Sequence, residues 1–212
     1  MMDAETHASG HDFDLIGGAV CLDFVNTGSA RKEGPFKERL HAYDDLLIWA
    51  ERAGVISADE SADLGRLAAA KPTEADRVLE RGRQLRESVY RVFSGQARGE
   101  SPQPADLTLL SAEQAAAAGN RVLTVNEGRV EFGWSSDKPN LERPLWSVAQ
   151  SATDLLTASE CTRVKECGTD NCNWLFLDAS KNKSRRWCEM KECGNREKAR
   201  RHYARKRIKD QG

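Results

Sequence analysis

Residues 167–172, CGTDNC, and residues 188–196, CEMKECGNR, decide how the rest of the chain is read. Cys167 and Cys172 are separated by four residues, Cys188 and Cys193 by four more, and fifteen residues lie between the pairs. A tetrahedral metal ion needs four soft ligands that converge. Two short Cys-x(2–4)-Cys loops bring such ligands together with little chain. Gly168, Asp170 and Asn171 tolerate the left-handed backbone that turns two thiolates toward one point. Four thiolates complete the coordination sphere of zinc and leave no position for water, so the expected ion is structural: one Zn2+ held by Cys167, Cys172, Cys188 and Cys193.

Outward from these loops, Asn173 to Asp178 (NWLFLD) reads as a strand, and Ser180 to Ser184 as a polar turn. Arg185 to Cys188 reads as the returning strand, and Gly194 onward as a helix. The order of knuckle, hairpin, knuckle and helix is that of a treble-clef-like finger. Cys161 lies six positions before Cys167 and is a rival ligand, but choosing it breaks the symmetry of the loops. Cys21 sits in an apolar run and reads as a packed thiol. His202 is nine residues beyond Cys193, roughly 13 Å along a helix, too far to share the ion. His7, His11 and His41 show no ligand spacing.

A net charge of −1 hides a division. Residues 161–212 hold 15 Lys and Arg against 7 Asp and Glu, leaving 17 against 26 in residues 1–160. Within 196–209 eight basic residues are accompanied by Glu197 alone. Such a helix repels itself in water and is relieved by a polyanion. Candidate nucleic-acid contacts are Arg185, Arg186, Arg196, Lys198, Arg200, Arg201, Arg205 and Lys209. Ala199 and Tyr203 fall on the opposite side of the helical wheel and suit packing on the knuckle. An acidic protein partner or RNA fits the same charge, and nothing in the spacing assigns a base contact. Trp174, Phe176 and Trp187 read as finger core.

The remainder reads as helical. Phe13 to Asn26 is apolar around Gly17-Gly18, residues 28–38 read as a polar loop, and Arg31, Lys32, Lys37 and Arg39 read as solvated loop residues. Helices are expected over about Leu40–Ala53, from the Ser57 capping box through Ala70, over Pro72–Arg98, over Ala105–Ala118 and over Leu141–Ala158. Arg121 to Trp134 alternates around Asn126-Glu127-Gly128, which predicts a β-hairpin. Asp23 and Asn26 embed polar groups in an apolar run; they cap a helix or satisfy buried backbone groups, or else form a ligand pocket.

The C-terminal run Cys193-Gly194-Asn195-Arg196, preceded by WLFLD and SRRWC, resembles the signature of the CGNR-type zinc finger family of bacteria. GGAVCLDFVNT and YDDLLIWAERAGVI resemble the ABATE domain that precedes that finger. The resemblance spans roughly residues 13–207 and implies a stress-induced transcription regulator whose finger binds zinc through the four matching cysteines.

The expected architecture is mainly α (α+β). A tail over 1–12 precedes an ABATE-like helical domain with one β-hairpin over 13–159, and a finger ending in a basic helix occupies 160–212. DNA is the expected partner, with a small-molecule effector or a homodimer as roles for the N-terminal domain. No apolar run approaches the length of about 20 residues that a membrane span requires. The polar, acidic start from Met1 to His11 and the clustered cysteines point to the cytoplasm. No nucleophile–base pair, Gly-rich phosphate loop or histidine–carboxylate cluster stands out, so an enzyme is not expected.

Overall fold

The computed structural model describes residues 13–29, 35–135, 138–170 and 172–210; along the last helix the described side chains are those through Arg200, with His202 and Tyr203. The expected tail, together with Arg31, Lys32 and Asn171, lies outside the described residues.

The longest helix, α4 (Pro72–Ala97), organises the molecule. Pro72 occupies its first turn, where a missing N–H costs nothing. Val78, Leu79, Leu85, Val89, Val92 and Phe93 form a buried stripe along it. Around α4 pack α1 (Val20–Val25), α2 (Tyr43–Arg52), α3 (Ala58–Ala70), α5 (Pro104–Ala118) and α6 (Arg143–Thr157). Local chemistry sets these limits. Ser57 Oγ accepts from Glu60 N–H at 3.1 Å while Glu60 Oε2 accepts from Ser57 N–H at 2.9 Å, the reciprocal box that opens α3. Gly54 follows α2 at φ +66°, a left-handed position that glycine takes without penalty.

Residues 28–38 do more than form a loop. Gly28–Ser29 (β1) pairs antiparallel with Lys37–Glu38 (β2). That ribbon delivers Glu38 to Arg86, whose guanidinium is buried on α4, with Nη2–Oε2 at 2.6 Å. Burial opposes both charges, but the bidentate pairing prevails, holding Glu38 below the usual carboxylate range and Arg86 above its ordinary value. Arg39 is likewise not a simply solvated side chain, since it lies 5.4 Å over the Phe13 ring and 6.0 Å over Trp174.

Arg121–Asn126 (β3) and Arg129–Trp134 (β4) form the expected hairpin, in register from Arg121↔Trp134 to Asn126↔Arg129. Glu127 (φ +48°) and Gly128 (φ +79°) make its two-residue turn, the doubly left-handed type that matches strand twist. A 3-10 turn, Ser159–Arg163, leads from α6 into Val164–Glu166 (β5), which pairs antiparallel with Leu175–Leu177 (β6). The partner of the 175–177 strand is therefore the segment before the first knuckle. The expected return strand over Arg185–Cys188 is not regular structure; its carbonyls receive side-chain and isolated backbone donors instead. The last described element is α7 (Asn195–Asp210). The architecture is thus mainly α with small antiparallel ribbons.

Candidate metal centre and basic helix

The first knuckle is the turn of the β5–β6 ribbon. Cys167 N–H donates to Trp174 O at 2.8 Å, continuing the ladder, and Cys172 N–H reaches Thr169 O at 3.3 Å. The second knuckle, closed by Gly194 N–H to Glu189 O at 3.0 Å, runs into α7. Two cross-ties hold the knuckles together: Gly168 N–H to Arg186 O at 3.0 Å, and Thr169 Oγ1 to Cys193 O at 3.3 Å.

The four sulfur atoms of Cys167, Cys172, Cys188 and Cys193 lie within 4.8 Å of one another, and all four residues are buried. Cys172 and Cys188 Sγ are 3.7 Å apart, Cys188 and Cys193 Sγ 3.5 Å. A disulfide needs about 2.05 Å. A zinc tetrahedron with bonds of about 2.3 Å has edges of about 3.8 Å, which is the spacing seen. Without a cation the thiols conflict. Hydrogen bonds from Cys172, Cys188 and Cys193 hold Cys167 far below the usual thiol range, while the hydrogen bonds with Cys167 push Cys172 and Cys188 upward. A dication removes the conflict by binding all four as thiolates. When bound, it supplies a closed, structural link between the two knuckles.

Cys161 stands apart: its thiol donates to Gln96 Oε1 on α4 at 2.7 Å. Cys21 is fully buried, and burial pushes its thiol up to about 12.

The surrounding polar frame was not foreseen from the sequence. Asp178 is fully buried at the end of β6 and accepts from Lys165 Nζ (2.6 Å), Ser180 N–H (2.9 Å) and Arg185 N–H (3.1 Å). Burial opposes its charge, but these donors hold its carboxyl below the usual range. The Asp178-Ala179-Ser180 order is a turn signal that was available. Arg185 packs 4.3 Å over the buried Phe176 ring and donates to Trp187 O (3.0 Å) and Cys188 O, so it ties the finger to itself. Trp174 and Trp187 are half-buried beside the cysteines.

The residues proposed for a pocket sit elsewhere. Asn26 donates to Leu175 O and accepts from Leu175 N–H, both at 2.9 Å, so its amide is taken up by the backbone of one residue of β6. Asp23 Oδ1 accepts from Gly17 N–H at 2.7 Å, and burial raises its carboxyl to about 6. Leu177 N–H donates to Gly17 O at 2.7 Å, and Gly18, at φ +81°, comes so close that a Cβ there would meet Leu177 Cβ at 3.3 Å. Together these contacts seat the finger ribbon on α1. A cavity of about 130 Å³ is lined instead by residues such as Leu64, Asn140, Arg143 and Trp146.

Residues 18–159 match the family model ABATE, described as "Putative stress-induced transcription regulator". The chain belongs to the ABATE family. Residues 163–206 match the CGNR zinc finger, in the same order along the chain. Among curated proteins no match to the chain is found. Neither matched family is an enzyme family. The family and the four-cysteine cluster together give the ABATE chain one structural zinc ion.

Helix α7 of the CGNR finger turns a different face inward than its wheel predicted. Glu197 is the buried side chain, 4% exposed, and binds Arg200 (Nε–Oε2 2.8 Å); Arg200 also lies 3.5 Å from Asp170. Ala199 is exposed and Tyr203 is 67% exposed, so neither packs on the knuckle. The physical reason is the start of the helix: Cys193 and Gly194 are held inward by the metal cluster, and Glu197, one turn on, follows them. Arg186, Arg196, Lys198 and Arg200 are exposed. Arg201, Arg205 and Lys209 belong to α7, and their side chains lie outside the described ones.

Proposed function

We propose that this chain is a DNA-binding transcription regulator. Cys167, Cys172, Cys188 and Cys193 hold the zinc, and α7 with Arg186 carries positive charge to the phosphates. The observation that carries the reading is the burial of Glu197. The sole acidic residue within 196–209 points inward and pairs with Arg200, while Arg196 and Lys198 on the same stretch of helix are exposed. A helix rooted in a metal centre presents that charge in a fixed direction, which suits a backbone-tracking contact with a polyanion. Arg186, Arg196, Lys198, Arg201, Arg205 and Lys209 are the contacts proposed, whereas Arg185 and Arg200 act first within the finger.

The ABATE module is the effector half, through a small molecule or through self-association. Cytoplasmic residence belongs to the same reading, supported by six cysteines that are unpaired by disulfides, four of them gathered as metal ligands.

Binding of duplex DNA over a salt series tests the proposal. With five of these six contacts neutralising a phosphate, the logarithm of affinity falls with a slope of about −4.5 against the logarithm of salt concentration. Arg201→Glu/Arg205→Glu weakens binding at least about tenfold and flattens the slope. Preferential competition by structured RNA would replace DNA with RNA as the target. Absence of salt-dependent binding to either would leave an acidic protein as the partner of this face.

A further inference from the structure

The β3–β4 hairpin is amphipathic, and its apolar face looks outward. Strand alternation places Leu123 and Val125 on the same face as their cross-strand partners Phe132 and Val130. These four side chains are 69%, 73%, 65% and 68% exposed. Four such side chains make a patch on the order of 400–500 Å², toward the upper end of what a monomer leaves open. The opposite face carries Val122, Thr124, Glu131 and Gly133. An isolated two-stranded ribbon has little stability of its own, and an apolar face on it needs cover.

We propose that this face is a homodimer interface, covered by the same face of a second copy related by a two-fold axis. The inference concerns the ABATE module and stands apart from the DNA reading. Two features select a second copy over other occupants. The face grades from a large pair at its base, Leu123–Phe132, to a small pair toward its tip, Val125–Val130. A copy turned by 180° therefore lays small residues over large ones, the condition for interdigitated packing of two sheets. The charges run the same way. Arg121 stands at the base, 4.7 Å over the Phe132 ring, and Glu127 at the tip. Antiparallel copies bring each Glu127 toward the other copy's Arg121. Arg121 and Trp134 lie on this face at its base, whereas Arg129, opposite Asn126, belongs to the other face and stays out of the contact.

The test is the mass of the full-length zinc-loaded chain in solution, without DNA, by sedimentation over about 1–100 μM. A dimer is expected. Leu123→Glu and Phe132→Glu each raise its dissociation constant at least about a hundredfold, because each buries a charge in both halves of the interface. Val122→Glu, on the other face of the same strand, leaves the dimer intact. Zinc content and the melting curve report that each variant is folded. Should Leu123→Glu fail to fold, Val125→Lys near the tip makes the same challenge. A monomer throughout the range overturns the proposal, and so does a dimer that the Leu123 and Phe132 variants leave undisturbed. Because no nucleic acid is present, loss of the dimer says nothing about the charge of α7, and failure of DNA binding says nothing about the hairpin.

Discussion

The helical body and the finger keep themselves together by different means. The body buries a continuous set of aliphatic and aromatic side chains from α1 to α6, with Phe24, Trp49, Leu85 and Phe93 among the largest. The finger's inner cluster is Phe176 with the four cysteines. Hydrophobic burial scales with the area enclosed, which a segment of this size with few aliphatics cannot supply. Coordination needs four sulfur atoms. The difference teaches that the finger tolerates a surface rich in charge, since its cohesion does not draw on that surface. The body also shares its core with the finger's first ribbon, through Cys161, Val164 and Leu175.

The largest expected effect breaks the two apart. Chelation of zinc removes a contribution of about 10–16 kcal/mol and unfolds the knuckles and α7, while α1–α6 keep their helicity. Circular dichroism then shows a partial loss, and the body melts in a separate, metal-independent transition. Serine at Cys167, Cys172, Cys188 or Cys193 lowers bound zinc from one ion per chain, whereas serine at Cys21 or Cys161 leaves it at one. Retention of a fully folded chain after metal removal would contradict the division drawn here.

The next effect is at the seam. Asn26→Ala leaves the backbone N–H and C=O of buried Leu175 without this partner, at a cost of about 2–4 kcal/mol. Zinc binding persists because no cysteine is touched. The thermal transitions of body and finger are expected to coincide in the parent and to separate in the variant; a single unchanged transition would show that the seam carries no coupling.

How legible this was depended on the source of the pattern. The metal site could be read because ligand spacing is local. The limits of α3 and α4 could be read because a capping box and a first-turn proline are local too. Helix α5 carries a weaker apolar stripe than its neighbours, for a physical reason. Part of its inner face is acidic, with Asp106 and Glu113 paired to Arg91 and Arg81 of α4 at 2.5 and 2.7 Å. No periodicity of apolar residues marks a face buried by ion pairs. The return strand was misplaced because Val164–Glu166 is three residues long, below what alternation reveals. The inward turn of Glu197 was hidden for the opposite reason: on a helix dense in Lys and Arg, hydrophobic patterning cannot say which charge points in. The seam formed by Asn26 is a long-range contact of 149 positions, which only the folded chain shows.

The smallest effect concerns Asp23, next to that seam. Burial raises its carboxyl from the ordinary 3.8 to about 6, despite the Gly17 N–H that favours the ion. The folded state therefore binds a proton more tightly than the unfolded one. The stability this group contributes is fully present below about pH 4 and is lost as pH rises through 6. Asp23→Asn keeps an oxygen for Gly17 N–H and removes the titration. The variant should be more stable than the parent at pH 7, and the gap should narrow as pH falls from 6 to 4. Comparing parent and variant at each pH cancels acid release of zinc, which affects both alike. A gap that is flat over this window would mean that Asp23 is as well solvated folded as unfolded. The hydrogen bond to Gly17 would then be its whole part in holding Gly17-Gly18 against Leu177.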